Sequence, residues 1–219
     1  MDGMIPRLIS QGDVLAGAEV IQQLTVAGGT TLSAAVLVSG LINRTGPVAL
    51  YSDALDSGSN IINALLGQGI FQATAVTGIS GGAAVQIGTT VRLRFLNTVA
   101  FANSIFVTTG VTLIGVSAIA ASSFKDFLIT VLNGTPQQTF AANQVVGSAV
   151  ITGLTQFQTS QLSVGQLVTG TSISGGATVI SIQVGIGVTL SSTATATLVG
   201  NALLFAPSVS MTAIGGGLL

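Results

Sequence analysis

Few residues in this chain have the types and spacing that do chemistry. Gly78-Ile79-Ser80-Gly81-Gly82 fits the G-x-S-x-G nucleophile elbow. A serine nucleophile needs a neighbouring base to take its proton, and the 219 residues contain no histidine. The reading for Ser80 is therefore a Gly-rich turn. Asp53 and Asp56 form the one close carboxylate pair, the minimum for acid-base work on a glycoside or for a hard cation. They stand just before a helical pattern, where acids cap free amides and meet the positive end of the helix dipole, and capping is the expectation for both. Arg92 and Arg94 project from one face of a strand pattern and suit a phosphate or a partner's carboxylate. Gly185-Ile186-Gly187 lacks the further glycine and the Lys-Ser or Lys-Thr ending of a phosphate cradle. Asn43-Arg44-Thr45 and Asn133-Gly134-Thr135 match the glycosylation sequon, which has meaning only in an exported chain.

Composition narrows the chemistry further. Cysteine, histidine and tryptophan are all absent, which removes disulfides, thiolate nucleophiles, imidazole bases and the usual transition-metal ligands. No catalytic residue, cofactor-binding residue or metal site is expected. Charged residues are 5% of the chain, against roughly 25% in an ordinary soluble domain. The five basic and six acidic residues all lie between Asp2 and Asp126, so nothing from Phe127 to Leu219 ionises. Five basic residues cannot make the positive footprint of a nucleic-acid binder. A mean hydropathy of +0.83 raises the question of a membrane. Every long apolar run is interrupted by Thr, Ser, Gly or Gln, leaving no helical span, and one Tyr with nine Phe is too few for the aromatic girdles of a membrane barrel. Met1 to Arg7 is not a charged region followed by an apolar one, so production in a cytoplasm is expected.

The elements that must position these residues are mainly strands. Residues 1–28 end at Gly28-Gly29 and read as an extended arm or an edge strand. Thr31 caps a short helix that stops at Gly40, and Leu41 to Arg44 is a strand ending at the Thr45-Gly46-Pro47 turn. Ser57 to Leu66 is the better helix, with Ile61, Ile62, Leu65 and Leu66 on one face and Gly67 just past its end. From Val85 the period becomes two: Thr90, Arg92 and Arg94 alternate with Val91, Leu93 and Phe95. Ser104 to Thr109 and Val111 to Ile114 follow as β-branched segments around Gly110. Phe127 to Leu132 is apolar on both faces, which places it in the centre of a sandwich or at an interface, and it ends at an Asn133-Gly134 turn. Val209 to Ile214 is a last strand before a Gly215-Gly216-Gly217 tail. Between about Val145 and Phe205, Gly and Thr punctuate short strands in the manner of a small sandwich or barrel. Gly110-Val111-Thr112-Leu113 recurs as Gly187-Val188-Thr189-Leu190, and Val76 to Gly82 echoes Val168 to Gly176, hinting at a repeated unit.

The predicted fold is all-β: a β-sandwich or jelly-roll-like domain with one or two short helices and a second small β module. The expected organisation is an N-terminal arm at 1–28, a main β-sandwich at 29–140 plus 206–219, and an inserted Gly/Thr-rich module at 141–205.

Gly29-Thr30-Thr31-Leu32-Ser33-Ala34-Ala35, the Arg44-Thr45-Gly46-Pro47 turn, Val91 to Thr98 and Ile119 to Phe124 resemble segments of tailed-bacteriophage virion structural proteins. Leu162 to Gly170, continuing to Leu190, is similar to a Gly/Thr-rich β module of phage head and tail appendages. The likeness spans most of the chain and is compositional. It implies a non-enzymatic cement, or decoration, protein on the outer capsid surface of a virion made in the host cytoplasm. Its implied partners are the major capsid protein and further copies of itself as a homo-oligomer, a trimer or dimer, with no nucleic acid and no membrane. The alternative it leaves is a tail or head-fibre adhesion module binding host-surface glycan. Exposed neutral strands favour association in either case.

Overall fold

The computed structural model describes residues 20–70 and 84–219. The first half contains β1 (Val20–Leu24), β2 (Thr31–Leu32), α1 (Ala34–Leu37), β3 (Gly40–Arg44), β4 (Tyr51–Leu55), α2 (Gly58–Gly67), β5 (Thr90–Asn97), β6 (Asn103–Phe106), β7 (Val111–Ile114) and β8 (Ala118–Ile119). There follow β9 (Ser123–Asn133), β10 (Gln138–Gln144), β11 (Val150–Thr152), α3 (Gln156–Ser160), β12 (Leu167–Thr169), β13 (Val179–Gln183), β14 (Gly187–Leu190), β15 (Leu198–Ala206) and β16 (Ser208–Leu218). The fold is mainly β.

From β1 to β6 the described residues wind as a coil. Successive strands alternate between two sheets: β1, β3 and β5 stack in parallel in the first, and β2, β4 and β6 stack in parallel in the second. Val20 pairs with Gly40 and Thr31 with Ala54, so each turn lays a copy of the same path on the one before, as in a solenoid. The turns lie so close that a Cβ built on Gly46 would stand 2.0 Å from the Thr25 carbonyl oxygen. After β5 the first sheet turns antiparallel, β5 pairing with β9 and β9 with β16, and β7 closes its far edge in parallel with β16.

Period-two patterning decides what this coil buries. In β5, Val91, Leu93 and Phe95 point inward while Arg92 and Arg94 face out. Leu32, Leu55 and Ile105 from the second sheet share one core with Phe127, Ile129 and Met211 from the first, and α1 and α2 add Leu37, Ile61, Ile62 and Leu65. Ser57 caps α2, its Oγ accepting from the Asn60 amide at 3.2 Å. The first helix is capped two residues later than the sequence suggests, Thr31 belonging to β2 and Ser33 being the N-cap, and it ends at Leu37. The strand with two apolar faces, β9, lies between β5 and β16. The glycines read as a tail are instead part of β16, Gly215, Gly216 and Gly217 pairing with Asp126, Lys125 and Phe124. Glycine is required there by crowding, since a Cβ on Gly216 would meet the Phe124 carbonyl at 2.8 Å and one on Gly217 the Phe124 ring at 3.1 Å.

Strands β10 to β15 pair only with one another, in the order β12-β15-β10-β11-β14-β13, and surround a second core that includes Ile151, Val168, Val188, Leu203 and Phe205. The two outer strands also meet. Leu167 bridges Thr178, the Val168 amide donates to Ala177 O at 2.7 Å and the Val179 amide to Gln166 O at 3.0 Å. The six strands therefore close into a small barrel, an arrangement that removes free edges. Its α3 carries a capping box in which Thr155 Oγ1 accepts from the Gln158 amide and Gln158 Oε1 accepts from the Thr155 amide. The 110–113 and 187–190 echo does not reflect a shared unit: β7 is a parallel edge strand of the first sheet, and β14 is an antiparallel stave of the barrel.

Candidate functional site

Asp53 and Asp56 do not act together. Asp53 leaves the capping role expected of it and points into the core, where it meets Arg44 with both side chains at 0% exposure. The two lie on consecutive strands of the coil, β3 and β4, facing across the corner between sheets. Arg44 has five N–H donors and each finds an acceptor: Nε and Nη2 reach Asp53 at 3.1 and 3.0 Å, Nη1 reaches the Leu24 and Val26 carbonyls, and Nη2 also reaches the Gly28 carbonyl. Asp53 is saturated in turn, accepting from Arg44, from the Thr30 amide at 2.9 Å and from Asn103 Nδ2 at 3.0 Å. A buried ion pair overcomes its desolvation only with such complete pairing.

This polar column continues along the coil. Leu24, Arg44 and Asn97 are register partners at the ends of β1, β3 and β5. Asn97 accepts from Tyr51 Oη at 2.7 Å and donates to the Phe101 and Ala120 carbonyls, both at 2.8 Å. The Tyr51 ring lies under the Arg44 guanidinium at 4.9 Å. Burial, and then the charge of Asp53, push the Tyr51 hydroxyl well above its ordinary pKa, against a smaller opposing effect of Arg44. These bonds hold one turn of the coil to the next. The sequence does show Arg44 and Asp53, but nothing local marks them as partners.

Asp56 is the capping acid. Its carboxylate accepts from the Ala34 amide at 3.0 Å, the Ser57 amide at 2.8 Å and Asn60 Nδ2 at 2.7 Å, tying α1 to α2. Burial raises its pKa, but those three bonds outweigh it and the net shift is downward.

Arg92 and Arg94 do share the outer face of β5, and across from them on β9 stands Asp126, the register partner of Arg94. Arg94 grips it with Nε at 2.7 Å and Nη2 at 2.9 Å, and Arg92 Nη2 adds a contact at 2.9 Å. The Arg94 bonds lower the Asp126 carboxyl to about 2 against the upward push of burial, with Arg92 adding to the lowering. Arg94 also stacks on Phe124 at 4.7 Å. Gly40, Leu41, Arg92, Arg94 and Leu96 line a shallow cavity of about 300 Å³ beside this group.

Lys125 turns back onto the Val116 and Ala118 carbonyls at 2.8 and 2.7 Å, and burial lowers its pKa. Every charged side chain among the described residues thus has a partner within the chain. Large apolar side chains, in contrast, stand in solvent. Leu50 is 78% exposed and Val48 73% in the turn before β4, Val199 is 85% exposed on β15, and Leu218 83% at the end of β16. Phe157, Val184 and Ile186 add a further group where α3 meets the β13–β14 hairpin, joined by the Leu154 amide on Ile186 O.

Of the remaining sequence candidates, Ser80 and its elbow lie outside the described residues. Gly185 and Ile186 lie in the β13–β14 hairpin turn and Gly187 opens β14, with the Gly185 amide bonded to Thr159 Oγ1 at 3.0 Å. Asn133 is fully buried and does not make the hairpin turn expected of it; it stands at the neck between the coil and the barrel. Among the described residues no three His, Cys, Asp or Glu side chains gather, and no helix is long and apolar enough to cross a membrane. Comparison with protein-family models, with curated proteins and with solved structures finds no match to the chain.

Proposed function

We propose that this chain is a non-enzymatic structural subunit of a tailed-phage virion, a cement or decoration protein that seats on the outer capsid lattice and stabilises the shell. The observation that carries the reading is the surface: large apolar groups such as Leu50, Val48, Val199 and Leu218 are exposed, while the described charges are turned onto the chain itself. Exposed apolar side chains in this number mark contact with other proteins. Burying them stabilises association by about 25 cal/mol per Å² before association costs are met. The half-exposed Arg92–Arg94–Asp126 group adds a polar feature to that neutral field. We read the coil with its antiparallel continuation as a two-sheet sandwich, a rigid block that does no turnover.

The test is negative-stain microscopy of capsids with and without the purified protein, alongside sedimentation of the protein alone. Regular decoration of the shell and a dimer or trimer in solution are expected. Binding confined to the tail, or a monomer at high concentration with no affinity for shells, overturns the proposal.

A further inference from the structure

The barrel is an insertion joined to the coil by two crossings, residues 134–137 and Pro207, and two strands of chain alone would leave it free to swing. A third attachment sits between them. Asn133, the last residue of β9, is fully buried, and its Nδ2 donates to Ser163 Oγ and to the Val164 carbonyl, both at 2.9 Å. Its Oδ1 accepts from the Thr135 amide at 2.9 Å, and Thr135 Oγ1 meets Ser163 Oγ at 2.5 Å. Gln166 fixes the receiving loop from below, Oε1 accepting from the Ser163 amide at 2.9 Å. Gly134 is pressed against Val85, a Cβ there falling 2.0 Å from the Val85 carbonyl oxygen, so the neck cannot slide on the coil.

We infer that Asn133 and Ser163 form a latch that holds the barrel at one fixed orientation to the coil. The latch lies at the one point where both crossings meet the first sheet, since Asn133 pairs with Ser208 immediately after Pro207. Both Nδ2 protons are used on the barrel side and Oδ1 on the neck side, so the amide is oriented without ambiguity and an isosteric carboxylate cannot replace it: an oxygen facing the Val164 carbonyl repels it. The latch is a conformational device and is independent of what the surface binds.

The test is amide hydrogen exchange on the full chain, comparing wild type with Ser163→Ala and Asn133→Asp. Ser163→Ala removes the hydroxyl and leaves Asn133 in place, so it guards against a variant that fails to fold. Opening of the latch exposes the Thr135 amide and the 163–166 loop, and these should exchange about five- to tenfold faster, the loss of one or two hydrogen bonds, while Ile129 in the coil and Val188 in the barrel stay as protected as before. Small-angle scattering of Asn133→Asp should show a broader distribution of interlobe distances. Unchanged exchange at the neck, or acceleration spread evenly over both lobes, overturns the inference, because the residues would then contribute only to general stability.

Discussion

Arg44 and Asp53 close a two-point ion pair, at 3.1 and 3.0 Å, in which neither side chain reaches solvent and every donor and acceptor has a partner. The pair fastens three consecutive features of the coil: the 24–28 turn through its carbonyls, β3 through Arg44 itself, and β4 through Asp53.

Breaking that pair should be costly in one direction only. Asp53→Ala leaves a buried guanidinium without its counter-charge and is expected to destabilise by about 3–5 kcal/mol, read as a lower urea midpoint. Arg44→Met with Asp53→Leu removes both charges and should recover much of the loss. A single-variant effect under about 1 kcal/mol would show that the pair is not holding the coil together.

Acid should act through Asp126. Its carboxyl is lowered to about 2 in the folded chain from an ordinary value near 4. A depressed folded pKa gives stability that is present above pH 4 and is lost as pH falls from about 4 through about 2. The contribution is about 1–2 kcal/mol, reduced because Arg92 and Arg94 are themselves 62% and 44% exposed and screened by salt. Unfolding curves of wild type and Asp126→Asn should differ at pH 6 and converge near pH 2.

Glycine substitutions should separate sites of crowding from open ones. Gly46→Ala places a Cβ 2.0 Å from Thr25 O, against backbone that cannot yield without unstacking two turns of the coil, and should cost about 2 kcal/mol or more. A Cβ on Gly28 meets nothing within 4 Å, so Gly28→Ala should change stability by less than about 0.5 kcal/mol. Paired thermal melts test the contrast.

In the barrel, Thr155→Ala removes the side-chain half of the α3 capping box and should cost about 1 kcal/mol. The loss should be local, with faster exchange at the Gln158 and Thr159 amides and unchanged protection in β5 and β9.

Patterns that depend on neighbours in sequence were legible before the fold was known. The alternation of Val91, Leu93 and Phe95 with Arg92 and Arg94 gave the faces of β5, the Ser57 cap and the Ile61, Ile62 and Leu65 stripe gave α2, and the two apolar faces of 127–132 fit the central place of β9. What escaped depends on partners far along the chain. Parallel stacking of β1, β3 and β5 has no hairpin to announce it, so residues 1–28 could be read as an arm or an edge strand, but nothing local showed residues 20–24 pairing with 40–44 or 41–44 pairing with 94–97. Asp53 read as a cap because a helix follows it, and only the corner of the coil brings Arg44 alongside. Asn133-Gly134 has the composition of a tight turn, yet its amide is committed to a loop thirty residues on. The Gly215–Gly217 run looked like a tail because flexible sequence and closely packed sequence are both rich in glycine.

The closed barrel, residues 138–206, contains no side chain that gains or loses a proton in water, since no Asp, Glu, Lys, Arg, His, Tyr or Cys falls within it. Proton binding is then identical in its folded and unfolded forms, and the slope of its folding free energy against pH is zero. Whatever acid or alkali the coil must endure through its few ion pairs, this lobe meets with its charge unchanged.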